Sequence, residues 1–428
     1  MLDWGNQFNI CCFLDNNNYD SPWHQFEAVL AADASHTLEV NAGNAFSALQ
    51  EFHHTHADWL FGHLAYDLKN ETVPGLESQH ADGIGFPDLC FFVPRVLMQL
   101  EKEQVHIGGV SFTLAEATAI YEAVLRMPVY VTSGGEQPAV IPTGYRYVVN
   151  SPLPPLQSRL DHHRYIAAVK ALQQHILQGD CYEVNFCRDN FLENVTIDPP
   201  ALFAQLNALS PSPFAAYYRL GHRYLASSSP ERFMQKQGNT VISQPIKGTS
   251  RKDADPAKDR RLQQELLGSA KERAENVMVV DLVRNDLSHT ALQGTVEVTE
   301  LFGIYSFAHV HHMISTISAQ LSPQTPFTAV LRTAFPMGSM TGAPKIRVMQ
   351  LIEQYEQTRR GLYSGAIGYI TPAGDFDFNV VIRSVLYNAN NKYLSFQTGS
   401  AITFYSDPEK EWEECLLKAA AMEKTITG

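Results

Sequence analysis

The stretch 245–286, PIKGTSRKDADPAKDRRLQQELLGSAKERAENVMVVDLVRND, gathers the residue types best able to do chemistry. Lys247 follows Pro245 and Ile246 and precedes Gly248, the pattern of a strand end turned toward an interior. Desolvation disfavours an ammonium and lowers its pKa, and the amine so freed is a nucleophile. Downstream, Glu272 and Glu275 fall three apart on a helical pattern and so share one face. The arrangement recurs at the other end of the chain. There Glu411, Glu414 and Lys418 share a face of a helix that Asp407 caps and Pro408 opens, with Trp412, Cys415, Leu416 and Ala419 as its apolar stripe. Carboxylates on rigid helices suit Mg²⁺, which keeps several waters and takes only one or two carboxylates directly. Two solvated acidic faces are the plain alternative. An amine beside such carboxylates suggests metal-assisted chemistry on an acidic small molecule.

Anion-handling groups are present as well. Arg383 lies inside FNVVIRSVLY, where strand alternation puts it on one face with Val381 and Val385. A guanidinium there needs a carboxylate, either from a substrate or from an internal Asp or Glu. TGSAI (398–402) and GSMTGAPK (338–345) are small enough for backbone N–H groups to approach an anion, and neither has the spacing of a nucleotide phosphate loop. Ser-Pro-Glu at 229–231 sets Glu231 at a strand end, where a raised pKa would make it a general acid.

These residues need a large scaffold, and the chain can supply one. It has 428 residues, 45% of them hydrophobic and 18% charged, which predicts one large or two moderate globular domains. The net charge of −13, without a Lys/Arg block, argues against nucleic acid and anionic membrane as partners. Six cysteines without zinc-like spacing fit a reduced cytoplasm, and no run approaches a membrane span. His53, His54 and His56 sit in a polar stretch and read as surface residues. Five prolines between Pro138 and Pro155 mark an extended connector, placing the main boundary between an N-terminal α/β region (1–145) and a second region (146–428). Strands are expected at 86–107, 179–187, 214–221, 223–230, 297–321 and in three runs after 361. Helices are expected at 112–127, from Tyr165 to Ile176 with Gly179 as the stop, after the 338–345 loop, and at the C-terminus.

Taken together, GDCYEVNF, SSSPERF, PIKGT, AKERAENVMVVDLVRNDL, HVHHMIS, GSMTGAPK, LYSGAIGY, the Arg383 segment and SDPEKEWEECLLKA resemble the chorismate-utilising enzymes. The likeness covers about residues 145–425 and is greatest to the aminodeoxychorismate synthase branch, while WLFGHLAYDLKNE resembles the family's more variable N-terminal region. The resemblance implies an α+β fold of two large facing β-sheets with helices outside and the site between them. It implies Mg²⁺ held directly by Glu275 and Glu414, with Glu272 and Glu411 acting through water. Glu231 would be the general acid at the departing hydroxyl. Tyr363, Arg383, Lys418 and the amides of Gly399 and Ser400 would hold the carboxylates of chorismate, with Thr249 and His312 lining its ring. Lys247 stands where anthranilate synthases carry alanine, so the implied reaction is amination of chorismate through a lysine adduct, in p-aminobenzoate and folate biosynthesis. Anthranilate or isochorismate synthesis is the alternative within the enzyme class, and an inactive chorismate-binding subunit the alternative outside it. No cysteine lies in a Gly-x-Cys-x-Gly loop, so ammonia is expected from a separate glutaminase subunit. Gly399-Ser400-Ala401 departs from the Gly-Ala-Gly of many members.

Overall fold

The protein is described by a computed structural model that covers residues 1–427 apart from 20, 74, 103, 111 and 128–152. Most of the proline-rich boundary therefore lies outside the described residues. The regions on either side of it are woven together. One hydrogen-bonded path of antiparallel strands runs from Gly342–Ala343 through Glu183–Leu192, Tyr393–Ile402, Ser384–Asn388, Arg223–Ser229 and Phe214–Leu220 to Ile10–Asp15. It continues through Ala28–Val40 and Leu89–Glu101 to Leu60–Leu64, Ala366–Ile370, Phe376–Val380, Arg232–Gln237, Thr240–Gln244 and Val310–Gln320. Ile246–Arg251 and Glu297–Ser306 pair with Val310–Gln320 at the far end.

Strand alternation explains how this path becomes two layers. Successive residues of a strand face opposite sides. In the first half, Cys12, Ala216, Tyr218, Leu225 and Leu386 share a core with Phe61, Phe91, Met234, Ile317, Ile367 and Phe378 of the second half. Their neighbours Cys11, Ala215, Tyr217, Ala226 and Val385 point the other way, into a core with Leu202, Phe203 and Leu206 of the helix Pro199–Leu209 and Ala419, Met422 and Ile426 of the terminal helix. The halves thus face each other, with helices outside, as the resemblance implies.

The helices follow their local signals. His162–Leu177 is capped by the Asp161 side chain, buries Tyr165, Val169 and Leu172, and ends just before Gly179 at φ +85°. Leu114–Leu125 opens on a Thr113–Glu116 capping box. His53 and His56 are half-buried and His54 is exposed on the helix Ala45–His56. The pattern after 255 is two helices, Pro256–Gly268 and Ala270–Ser288, because Ser269 leaves the helix and its hydroxyl accepts from Glu272 N–H. In the terminal helix Pro408–Thr427, Asp407 accepts from the Glu409 N–H at 3.0 Å. Its buried stripe is Glu411, Cys415, Ala419, Met422 and Ile426, whereas Leu416 is exposed. Among the described residues no helix is long and apolar enough to cross a membrane. All six cysteines are buried and unpaired.

Candidate active site

Both layers are entered by the same pair of chain segments, and the crossings carry charged residues. Arg223–Ser229 belongs to one layer and Arg232–Gln237 to the other, so Glu231 sits on the passage between them. The partner segment crosses likewise between Phe376–Val380 and Ser384–Asn388, and Arg383 lies on that passage at φ +49°. Arg383 is therefore not a strand residue alternating with Val381 and Val385. The left-handed backbone there breaks the strand as the chain changes partners. Beside Glu231, Arg232 is fixed by Asp377 at 2.9 and 3.0 Å and by Gln244 at 2.6 Å, which pins the crossing.

Burial raises the Glu231 carboxyl to about 7, against smaller opposing pulls from the Ser339 hydroxyl, Lys247, the Ile246 backbone and Lys418. Arg383 is pulled down by burial and feels Glu231. No hydrogen bond to another side chain satisfies its guanidinium among the described residues, and such a group calls for an anionic ligand. His312 is buried, and burial together with nearby Arg383 holds it well below its ordinary range, hence neutral. Its Nδ1 pairs with Thr249 Oγ1 at 2.8 Å while Nε2 has no partner among the described residues.

Lys247 occupies the strand Ile246–Arg251, with its side chain 10% exposed. Burial pulls its pKa down, as expected, but Glu183, Glu275 and Glu231 together outweigh that and leave it raised. The desolvation argument from sequence is thus corrected: the resting amine is protonated, because carboxylates from three separate elements surround it. The shortest contact is from Lys247 Nζ to Glu183 Oε1, 2.7 Å. Sequence reasoning missed Glu183. The signal was present, since a carboxylate within CYEVNFC raises the same question as an arginine within FNVVIRSVLY.

The two glutamate pairs converge on one neighbourhood. Gly248, at φ +93°, brings the Lys247 strand so near the helix that an added Cβ would lie 3.0 Å from Glu272 Oε2. Burial raises Glu272, Glu275 (to about 7) and Glu411, and mutual repulsion adds to each: Glu414 acts on Glu272 and Glu411, and Glu272 on Glu275. Glu414 itself ends lowered, burial being overcome by Lys418, whose Nζ lies 2.7 Å away. Lys271 sits among all four acids and approaches Glu275 at 3.6 Å. Among the described residues no three His, Cys, Asp or Glu side chains are placed to hold a metal ion together. An all-oxygen set from two helices still fits a cation that takes one or two carboxylates and keeps its waters.

Lys418 Nζ also donates to the Gly399 carbonyl at 2.9 Å. Among the described residues, 397–402 pair with Glu183–Leu192 on one edge only, since the Ser384–Asn388 strand covers just 393–396 on the other. Ser400 is buried, its hydroxyl 3.0 Å from Tyr165 Oη. Tyr363 is buried, with its hydroxyl 3.7 Å from Cys187 Sγ, and Cys187 lies opposite Gly399 in the sheet. Tyr363 reaches the site through that strand, and among the described residues it makes no hydrogen bond to Arg383 or Lys247.

Comparison with known proteins decides the lineage. A profile described as "chorismate binding enzyme" matches residues 10–424. The chain belongs to that family. Among the family's curated members, aminodeoxychorismate synthase of Streptomyces griseus is 42% identical over 270 residues, 63% of this chain and 37% of that protein. Aminodeoxychorismate synthase component 1 of Escherichia coli is 38% identical over 270 residues, 63% of this chain and 59% of that one. The chain thus spans less than two thirds of the length of these two relatives. Anthranilate synthase component 1 of Thermus thermophilus is 35% identical over 371 residues, 85% and 76% of the two chains. The fold is that of anthranilate synthase component I from Streptococcus pneumoniae, with TM-score 0.78, 25% identity and coverage of 94% and 93%. It is equally that of the menaquinone-specific isochorismate synthase of E. coli, with TM-score 0.76, 18% identity and coverage of 99% and 91%. The family enzymes use chorismate, and relatives with different products flank this chain.

Proposed function

We propose that the chain is the chorismate-aminating subunit of an aminodeoxychorismate synthase, converting chorismate and ammonia to 4-amino-4-deoxychorismate. The observation that carries this reading is Lys247, an amine buried beside Glu231 and ringed by carboxylates. Lys247 weighs against an anthranilate synthase, which by resemblance carries alanine at that position, while an isochorismate synthase is separated from this reading by the product formed from chorismate. Glu231, raised to about 7, holds a proton near neutral pH and can donate it to the departing C4 hydroxyl. Arg383, with Lys418, Tyr363 and the open strand edge at Gly399–Ser400, takes the carboxylates. Thr249 and neutral His312 line the ring. Glu275 and Glu414 would hold Mg²⁺ directly, with Glu272 and Glu411 through water; when bound, Mg²⁺ neutralises and orients the ring carboxylate.

The amine of Lys247 attacks C2, both ring double bonds shift toward C4, and the C4–O bond breaks as Glu231 gives its proton, releasing water. Ammonia then adds at C4, both double bonds shift back, and the C2–N bond breaks to free Lys247. Splitting one hard substitution into two gives each a good leaving group. Ammonia would come from a separate glutaminase subunit, and the product would serve p-aminobenzoate and folate biosynthesis in the cytoplasm. The test is purified protein with chorismate, Mg²⁺ and ammonium, products identified by mass. Anthranilate or isochorismate as the main product would reject the reading.

A further inference from the structure

Resting on that reading, one step has no residue assigned to it: the protonated amine of Lys247 must lose a proton before it can attack. Five carboxyl groups act on it: Glu183, Glu275 and Glu231 most, with Glu272 and Glu414, which belong to the proposed cation site. Glu231 is needed with its own proton in place, and Glu275 is committed to the cation. Glu183 is the one in direct contact, 2.7 Å from Nζ and 2% exposed. Its second oxygen, Oε2, is buried and has no hydrogen-bond partner among the described residues. A buried carboxyl oxygen without a partner is costly to keep, and native proteins rarely keep one for packing alone.

The backbone around Glu183 is held from the side. Tyr182 N–H donates to the Ala343 carbonyl at 2.7 Å and Asn185 N–H to the Thr341 carbonyl at 2.8 Å. Gly342 comes so near that a Cβ there would lie 2.0 Å from the Glu183 carbonyl oxygen. The GSMTGAPK loop, read from sequence as a place for an anion to approach a backbone, instead clamps the strand that carries Glu183. The carboxyl is thereby aimed at one atom, Lys247 Nζ.

We propose that Glu183 is the proton acceptor that activates Lys247. An N–H bond of the ammonium breaks and an O–H bond forms on Glu183, leaving a lone pair on Nζ to attack C2. Glu231 meanwhile passes its proton to the departing hydroxyl, so water leaves and the adduct nitrogen is a secondary ammonium. When ammonia adds at C4, the new ammonium returns a proton to Glu231. Lys247 departs from C2 as the free amine and recovers its proton from Glu183. Both carboxyl groups and the lysine end as they began.

The test is adduct formation in a single turnover with chorismate and Mg²⁺ but no ammonia, read as mass gain on the 245–249 peptide. Glu183→Gln keeps the shape and a hydrogen bond to Lys247 but cannot take its proton. The adduct rate should fall at least about 100-fold, the low end for a positioned proton acceptor, while chorismate binding changes by less than about threefold. Glu183→Asp, which keeps the carboxyl one methylene shorter, should recover part of the rate. If Glu183 served only to hold Lys247 charged, Glu183→Gln would free the amine and form the adduct as fast or faster, and that result overturns the proposal. A wild-type protein that forms no adduct overturns the lysine mechanism and this role with it, whereas a normal adduct rate in Glu183→Gln overturns the role alone.

Discussion

Glu231 should make this protein less stable as pH rises, and Glu231→Gln should reverse the effect. Its folded pKa is about 7 against an ordinary 4.5, because burial opposes the charged form. Between those values the folded protein binds a proton that the unfolded chain has lost, so stability is fully present below about pH 4.5 and lost as pH climbs through 7. A shift of about 2.5 units at 1.36 kcal/mol each gives a cost of roughly 3 kcal/mol at pH 8. Glutamine keeps the shape and removes the titration. Glu231→Gln should therefore be about 3 kcal/mol more stable than wild type at pH 8, or roughly 3–4 °C in Tm for a chain of this size, with the gap closing toward pH 4.5. Activity should move the opposite way, falling by about 100-fold or more with the loss of the acid. The assay is urea unfolding of both proteins from pH 4.5 to 8 beside turnover. If Glu231→Gln is no more stable at pH 8, or if the difference does not vary with pH, the carboxyl is not held protonated by burial and the assignment of the acid fails.

Lys247→Ala should abolish 4-amino-4-deoxychorismate formation while chorismate binding stays largely intact, checked by mass analysis of products and by calorimetry; near-normal turnover would show that the amine is not the nucleophile. The same change strands Glu183, so it should also destabilise the protein by about 3 kcal/mol at pH 8, as breaking one side of a buried pair does, read by urea unfolding. Glu275→Gln and Glu414→Gln should weaken Mg²⁺ binding and activity more than Glu272→Gln, measured by Mg²⁺ titration; equal loss in all three would reject the direct and water-mediated assignment. With glutamine as the sole nitrogen source the isolated chain should make no 4-amino product, while ammonium should support turnover; glutamine-dependent turnover by this chain alone would reject a separate glutaminase.

How much of this was legible depends on how local the cause is. The helix His162–Leu177 could be read from the spacing of Tyr165, Val169 and Leu172 and from Gly179, because caps and periodicity are near-neighbour effects. The pairs Glu272/Glu275 and Glu411/Glu414 were legible for the same reason. The crossing at Arg383 was not: FNVVIRSVLY has unbroken β-propensity, and only its change of partners, from Arg232–Gln237 to Arg223–Ser229, turns the backbone there. Lys247 was placed correctly and its protonation misjudged, since burial is foreshadowed by neighbours in sequence but Glu183 and Glu275 come from other elements. The exposed Leu416 and buried Glu411 reverse the simple apolar stripe, because that helix face meets the site as well as the core.

The interleaving of early and late strands bears on where this chain can be cut. Leu60–Leu64 fills the gap between Ala366–Ile370 and Leu89–Glu101, and Ile10–Asp15 flanks Phe214–Leu220. Every group assigned to chemistry lies at or beyond Glu183, so a fragment beginning near residue 153 would keep all of them. It would also bare one edge of Ala366–Ile370 and one of Phe214–Leu220, rows of unpaired N–H and C=O groups flanked by apolar faces that no longer have a cover. Such edges recruit other chains. The catalytic inventory is thus separable on paper and inseparable in water: expressed alone, the second region should self-associate through those two edges, and the first region acts as its built-in chaperone against that fate.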